Sequence, residues 1–266
     1  MKTSFIRTVR FALGVALAIA LPSCLQNETT ITLNKDGSGT IIEETVLTAE
    51  MLAMMTQFAQ PGAPDPVAEM FSEEKAKEKA PKLGEGVEFV KSEMVEREGK
   101  KGARVEYKFA DINKVKVSAG DAMEQLGDQM PEGEQKKDEA VKFSYADGKL
   151  KITTPPTDFD DMAMPGGDGA EQTPQMEEMM TNMLKDMRVT MKLVVADGIA
   201  ETNATHREGD AITLIDVEVG KMIAQKDKLK AISETAKTDK EAAKAEFSKL
   251  EGVKVETNDE VTVTVK

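Results

Sequence analysis

Alternation of apolar and polar positions recurs along most of the chain. Thr29 to Leu33 alternates, as does part of Thr40 to Leu47, with Asn34-Lys35-Asp36-Gly37-Ser38-Gly39 between them. Two β-type segments around a Gly-rich turn predict a hairpin. Val87 to Glu96 and Ala103 to Phe109 predict a second, turning at Glu98-Gly99-Lys100. Val141 to Tyr145 and Leu150 to Thr154 flank Ala146-Asp147-Gly148-Lys149, and Asp-Gly between alternating runs favours a tight hairpin turn. Arg188 to Val195, Ile199 to Thr205 and Ile212 to Val219 read as a three-stranded meander, turning at Ala196-Asp197-Gly198 and Arg207-Glu208-Gly209-Asp210. Val253 to Val265 closes the chain with β-branched alternation and a turn at Asn258-Asp259. This last strand is expected to return to the same sheet.

Helical spacing appears between these runs. Thr48 can cap a helix with Glu50 in its first turn; Met51, Met55 and Phe58 share its face, and Gln60-Pro61-Gly62 ends it. A second helix is predicted over Pro66 to Ala80, charged outward through pairs such as Glu73 and Lys77. Thr173-Pro174 opens a third, in which Met176, Met179, Met180, Met183, Leu184 and Met187 keep to one stripe. Val219, Met222, Ile223 and Leu229 form another stripe, and Ala236, Ala243, Phe247 and Leu250 a last one. Residues 111–126 fit neither period. Residues 128–139 and 155–172 are polar or rich in Pro, Gly and Asp, and read as mobile loops. Hairpins with helices inserted between them predict an α+β fold. The expected form is an antiparallel sheet, one face covered by the amphipathic helices, in a single ectodomain over residues 29–266.

The first residues follow another pattern. Lys2, Arg7 and Arg10 precede the apolar run Phe11 to Leu21, as in an export signal. At about 1.5 Å per residue that run gives roughly 16 Å of helix, too short for a hydrocarbon core about 30 Å thick. Leu21-Pro22-Ser23-Cys24 follows, and Cys24 is the only cysteine, so it has no disulfide partner within the chain. The tetrapeptide resembles the lipobox of bacterial lipoproteins. That resemblance implies removal of residues 1–23, acylation of Cys24, and residues 24–28 as anchor and short tether. Inner-membrane lipoproteins often carry Asp after the cysteine; Leu25 therefore favours the outer membrane. Two or three acyl chains anchor stably where one does so only marginally.

Charge narrows the partners. The chain has 35 basic and 48 acidic side chains, a net charge of −13, and losing Lys2, Arg7 and Arg10 makes it more acidic. Such a surface repels nucleic acid. Tryptophan is absent and methionine numerous at 17, so the core is expected to be aliphatic and adaptable.

Several short patterns suggest chemistry and then fall short of it. Asn34 to Ile41 resembles the start of an EF-hand loop, but Thr45 occupies the twelfth position and the incoming segment is β-like. Ser72-Glu73-Glu74-Lys75 matches a bare S-x-x-K, without the motifs that accompany it in penicillin-binding enzymes. His206 is the only histidine, no G-x-S-x-G elbow is present, and a zinc ligand set is missing. Asp158, Asp160, Asp161 and Asp168 read as a solvated acidic loop, and Asn203-Ala204-Thr205 as an incidental sequon. No catalytic residue, metal site or cofactor is expected. The Met176–Met187 stripe has two readings: packing on the sheet, or an adaptable apolar groove for a ligand.

The lipobox, the early hairpin Thr30–Val46 carrying Asp36-Gly37-Ser38-Gly39, and the late Glu201-Thr202-Asn203-Ala204 together resemble the LppM-type lipoprotein domain. The resemblance covers the two ends of the mature chain better than its middle. The C-terminal membrane helix that many such proteins carry is missing from the pattern. Kinship would imply an α+β ectodomain at a membrane surface, with lipid binding and no catalytic residue. Three functions follow as expectations: an anchored module binding a lipid or other apolar envelope ligand, a scaffold lipoprotein with a protein partner, and, third, an envelope-polymer hydrolase.

Overall fold

A computed structural model describes residues 25–49, 51–53, 65–97, 99–118, 140–155 and 184–266. The three predicted hairpins form where the alternation places them. β1 (Leu25–Leu33) pairs antiparallel with β2 (Gly39–Leu47), placing Ile31 opposite Ile41. β3 (Glu88–Arg97) pairs with β4 (Lys100–Phe109), and β4 in turn with β2. β5 (Lys142–Ala146) and β6 (Lys149–Thr153) meet at Asp147 and Gly148, both at positive φ (51° and 75°), as a tight hairpin turn requires.

Pairing over long sequence separations completes two sheets. β7 (Met187–Val195) runs parallel to β1, Leu25 level with Met187 and Leu33 with Val195. β8 (Ile199–Thr202) and β9 (Arg207–Glu208) follow, then β10 (Ala211–Glu218), which pairs with β7 and β9. β11 (Val253–Val255) pairs with β10, and β12 (Glu260–Val265) lies between β6 and β8. The first sheet has the order β11-β10-β7-β1-β2-β4-β3 with β9 on β10; the second has the order β5-β6-β12-β8.

The α+β class agrees with the pattern; three details do not. The expected meander is broken because β8 leaves β7 for the second sheet. Asp210 accepts the Ile199 N–H at 2.9 Å and Arg207 donates to the Ile199 carbonyl at 2.9 Å, so the strand is turned away at its first residue. The last alternating run also splits, β11 into the first sheet and β12 into the second. Glu256 secures the crossing: its buried carboxylate accepts from the Thr205 N–H (2.8 Å) and hydroxyl (2.6 Å) and from the Asn258 N–H (2.8 Å). The helix predicted over Pro66 to Ala80 is two helices, α1 (Pro66–Met70) and α2 (Glu73–Lys79). The Ser72 hydroxyl accepts from the Lys75 N–H at 3.3 Å and starts α2 afresh.

Side chains alternate across the first sheet, so one face is covered and packs apolar residues at both ends. At the end where β1 finishes, Ile31, Leu33, Ile41, Tyr107 and Leu193 pack against Leu150, Ile152, Val261 and Val263 of the second sheet. At the end where β1 begins, Leu47, Ala103 and Met187 pack against Val67 of α1, Phe71, and Ile223 of α3 (Val219–Ile223). Helices thus cover this second end, as expected, while a sheet covers the first. α4 (Lys226–Ala236) and α5 (Lys240–Phe247) form a hairpin closing a third cluster through Ile232, Ala243 and Phe247. The opposite face is polar and laced with ion pairs, including Arg188–Asp216 at 2.7 Å and Lys192–Glu28 at 3.2 Å.

Candidate functional site

Of the residues singled out from the sequence, Leu184 and Met187 lie at the end of the first sheet at which β1 begins. Residues 25–28, read above as a tether, belong to β1: Gln26 is paired with Val46 on one side and Arg188 on the other. Cys24, the signal and the lipobox lie outside the described residues, as do Met176, Met179, Met180 and Met183. The remaining two members are described, and the helical stripe does not reach Met187: Leu184 is helical, whereas Met187 opens β7 after a turn. Leu184 and Met187 are both buried, in the cluster with Leu47, Phe71 and Ile223. Met51, Leu52, Met70 and Met222 pack around it, partly buried. Met94 on β3 stands opposite Ala103 and is 59% exposed.

A polar belt separates this cluster from the inter-sheet core. Asn27 and Thr29 of β1 and Glu43 and Thr45 of β2 point to the covered face and are all buried. The Asn27 amide donates to the Thr45 hydroxyl at 2.8 Å. Lys79, at the end of α2, reaches both Glu43 oxygens, at 2.9 and 2.8 Å. The ammonium supplies the charge and the donors that a carboxylate needs away from water. Burial, reinforced by the nearby Glu43 charge, pushes the Tyr107 phenol far above its ordinary range. The Glu43–Lys79 pair was missed in the sequence, although it left a signal. Glu43 is an acid on the inward phase of a strand whose other inward positions are Ile41, Thr45 and Leu47.

The motifs with borrowed chemistry resolve into local structure. Ser72 is a helix cap. The Asn34–Ser38 loop closes a hairpin: the Asn34 amide donates to the Ser38 hydroxyl at 3.0 Å, and Asp36 accepts from the Ser38 O–H and N–H at 2.6 and 3.0 Å. Those bonds hold the Asp36 carboxyl below its usual range. Thr45 lies roughly 20 Å along β2 from Gly39, at about 3.3 Å per residue, beyond the reach of a loop ligand. Asn203 clamps β8 to β12, its carbonyl oxygen accepting from the Thr262 N–H at 2.7 Å and its amide donating to the Glu260 carbonyl at 3.1 Å. The His206 carbonyl accepts from the Thr213 N–H at 2.9 Å. Among the described residues no group of three or more His, Cys, Asp or Glu is placed to hold a metal ion. No described helix is long and apolar enough to cross a membrane.

No protein-family model matches this chain, and no curated protein matches it. One solved structure is similar. It is the NMR structure of the folded domain of LppM from Mycobacterium tuberculosis, at a TM-score of 0.31 and 11% identity over 76% of this chain and 88% of that one. A likeness that distant carries no argument about function.

Proposed function

We propose that the protein is a membrane-anchored envelope lipoprotein, acylated at Cys24, whose folded domain binds a lipid or other apolar envelope molecule without catalysing a reaction. The observation that carries the reading is the junction at residue 24. An export-type apolar run, Phe11 to Leu21, leads into Leu21-Pro22-Ser23-Cys24, which holds the chain's only cysteine. The ligand part of the proposal draws on the methionine-rich surroundings of the cluster around Met187, because thioether side chains adapt to varied apolar shapes. Leu25 after the cysteine favours the outer membrane.

A second reading is an interaction lipoprotein with a protein partner and no small ligand. Burial of Leu184 and Met187 favours it, since that end of the stripe is already occupied by the protein's own core. Native mass spectrometry of protein purified gently from its own membranes, with a Cys24→Ala control, separates the two. An acylated chain with a further non-covalent lipid mass, retained in the control, is the expected result. An acylated chain with no extra mass supports the interaction reading, and a chain that keeps residues 1–23 unacylated overturns both.

A further inference from the structure

A sheet edge presents a row of unpaired N–H and C=O groups unless something answers it. Most edges of the two sheets are short or answered. β11 has three residues and β9 two. At β5, the Asn113 side chain accepts the Tyr145 N–H at 2.6 Å and donates to its carbonyl at 3.2 Å. At β8, Asp210 and Arg207 take the N–H and the carbonyl of Ile199. β3 is different. It is ten residues long and ends the first sheet. Among the described residues, none bonds to its outward-facing backbone.

Register decides what can meet that edge. A bulge at Val90 separates Phe89 from Lys91, and from Lys91 to Arg97 the pairing with β4 is regular. Arg97 and Lys100 flank the hairpin turn and exchange backbone bonds, so alternation turns the N–H and C=O of Ser92, Met94 and Glu96 outward. A second copy of β3 can meet this row antiparallel about a two-fold axis. With the axis at Ser92, only Lys91, Ser92 and Glu93 of the regular stretch face one another. An axis at Glu93 sets that acid against itself, and one at Met94 sets Lys91 against Arg97. With the axis at Val95, Glu93 meets Arg97 twice and no like charges are opposed.

Side chains favour the same axis. Val95 stands opposite Gly102 on β4, so it faces no side chain there, and across the axis it meets its own copy in a close, non-hydrogen-bonded pair. Met94 stands opposite Ala103 and is the most exposed large hydrophobic side chain among the described residues. In this pairing the two Met94 side chains are diagonal neighbours at about 7–8 Å, within reach of chains that long. The neighbouring acids have bases beside them. Glu96 is paired with Lys101 on β4, and Glu44 lies 3.1 Å from Arg104 and 3.2 Å from Arg97.

We propose that β3 pairs with β3 of a second copy of this chain, antiparallel about a two-fold axis at Val95, and joins the two first sheets into one. Glu93 and Arg97 set the register by charge, and Val95 and Met94 supply the apolar contact. The pairing goes beyond the lipoprotein reading and requires neither the anchor nor a ligand.

The test uses the full chain with Cys24→Ala, in mild detergent, so that an added cysteine is the only one. Sedimentation is expected to show a dimer. Glu93→Arg alone, or Arg97→Glu alone, opposes like charges twice and is expected to weaken association about tenfold or more. Mixing the two variants matches every pair again and is expected to restore the dimer. Val95→Cys is expected to give a disulfide-linked dimer under mild oxidation, because non-hydrogen-bonded partners lie about 4.5 Å apart at Cα. Ser92→Cys is not, since its two copies are displaced by about 20 Å along the strands. A chain that is folded by circular dichroism yet monomeric at high micromolar concentration overturns the pairing. A dimer that the charge variants leave unchanged, or that their mixture fails to restore, also overturns it, and equal linkage at positions 92 and 95 overturns the register.

Discussion

The Glu43–Lys79 pair shows how one residue on the wrong phase of a strand shapes its surroundings. Side-chain exposures of 7% and 15% leave neither charge an alternative partner in water. Removing one member of a buried pair costs about 3–5 kcal/mol, because the other stays buried and uncompensated, whereas replacing both by apolar groups of similar size is often neutral. Lys79→Met is therefore expected to lower stability by several kcal/mol, a large share of the about 5–15 kcal/mol that domains have. Glu43→Leu/Lys79→Met should recover most of that loss. Denaturant midpoints by circular dichroism decide the matter. A double variant no better than the single would mean that the polar belt, with the Asn27–Thr45 bond beside it, needs the ions for its geometry. Sequence pattern exposes half of this arrangement. The phase of Glu43 is visible along β2, but the amine that answers it comes from 36 positions away, and no local period encodes such a meeting.

Elements whose partners are adjacent in sequence were the legible ones. Asp147-Gly148 and Glu98-Gly99-Lys100 sit between alternating runs, and both hairpins form there. The break between α1 and α2 had a local signal as well: Ser72 followed by Glu73 and Glu74 is the pattern of a helix cap. Glycines in the two hairpins do different work, and that difference is testable. Gly148 has φ +75° with open space around it, so Gly148→Ala costs about 1–2 kcal/mol of backbone strain and nothing in packing. Gly102 of β4 is paired with Val46 of β2, and an added Cβ would collide with the Thr45 carbonyl oxygen and the Val46 backbone. Neither obstacle is the flexible end of a side chain. Gly102→Ala is thus expected to lower the melting temperature by more than Gly148→Ala and to loosen the β2–β4 pairing. Hydrogen exchange of the Thr45 and Val46 amides would register that loosening directly, and equal shifts for the two variants would contradict it.

At the scale of the whole molecule, the pairings that close the fold were the ones the pattern left open. Arg188 to Val195 alternates in the same way whether it runs parallel or antiparallel to its neighbour, and Glu260 to Val265 alternates identically in either sheet. What assigns them is a set of distant polar contacts, Asp210 on Ile199, Glu256 on Thr205 and Asn203 on Thr262. The resulting topology places the last strand, β12, in the interior of the second sheet. Removing residues 260–266 would therefore unpair both β6 and β8 and take Val261, Val263 and Val265 out of the main core. The α4–α5 hairpin is a larger piece of chain, yet it covers only its own cluster. Its two ends meet, with the Gln225 amide donating to the Glu251 carbonyl at 3.1 Å, so a short Gly-Ser linker can replace it. Position in the topology, not length, should set the outcome. The chain without α4–α5 is expected to keep a cooperative thermal transition at lower temperature, and the chain without β12 to lose cooperativity in near-UV circular dichroism and calorimetry. A cooperative transition in the shorter truncation would mean that the first sheet and its helices hold a core of their own, with the second sheet added to a fold already complete.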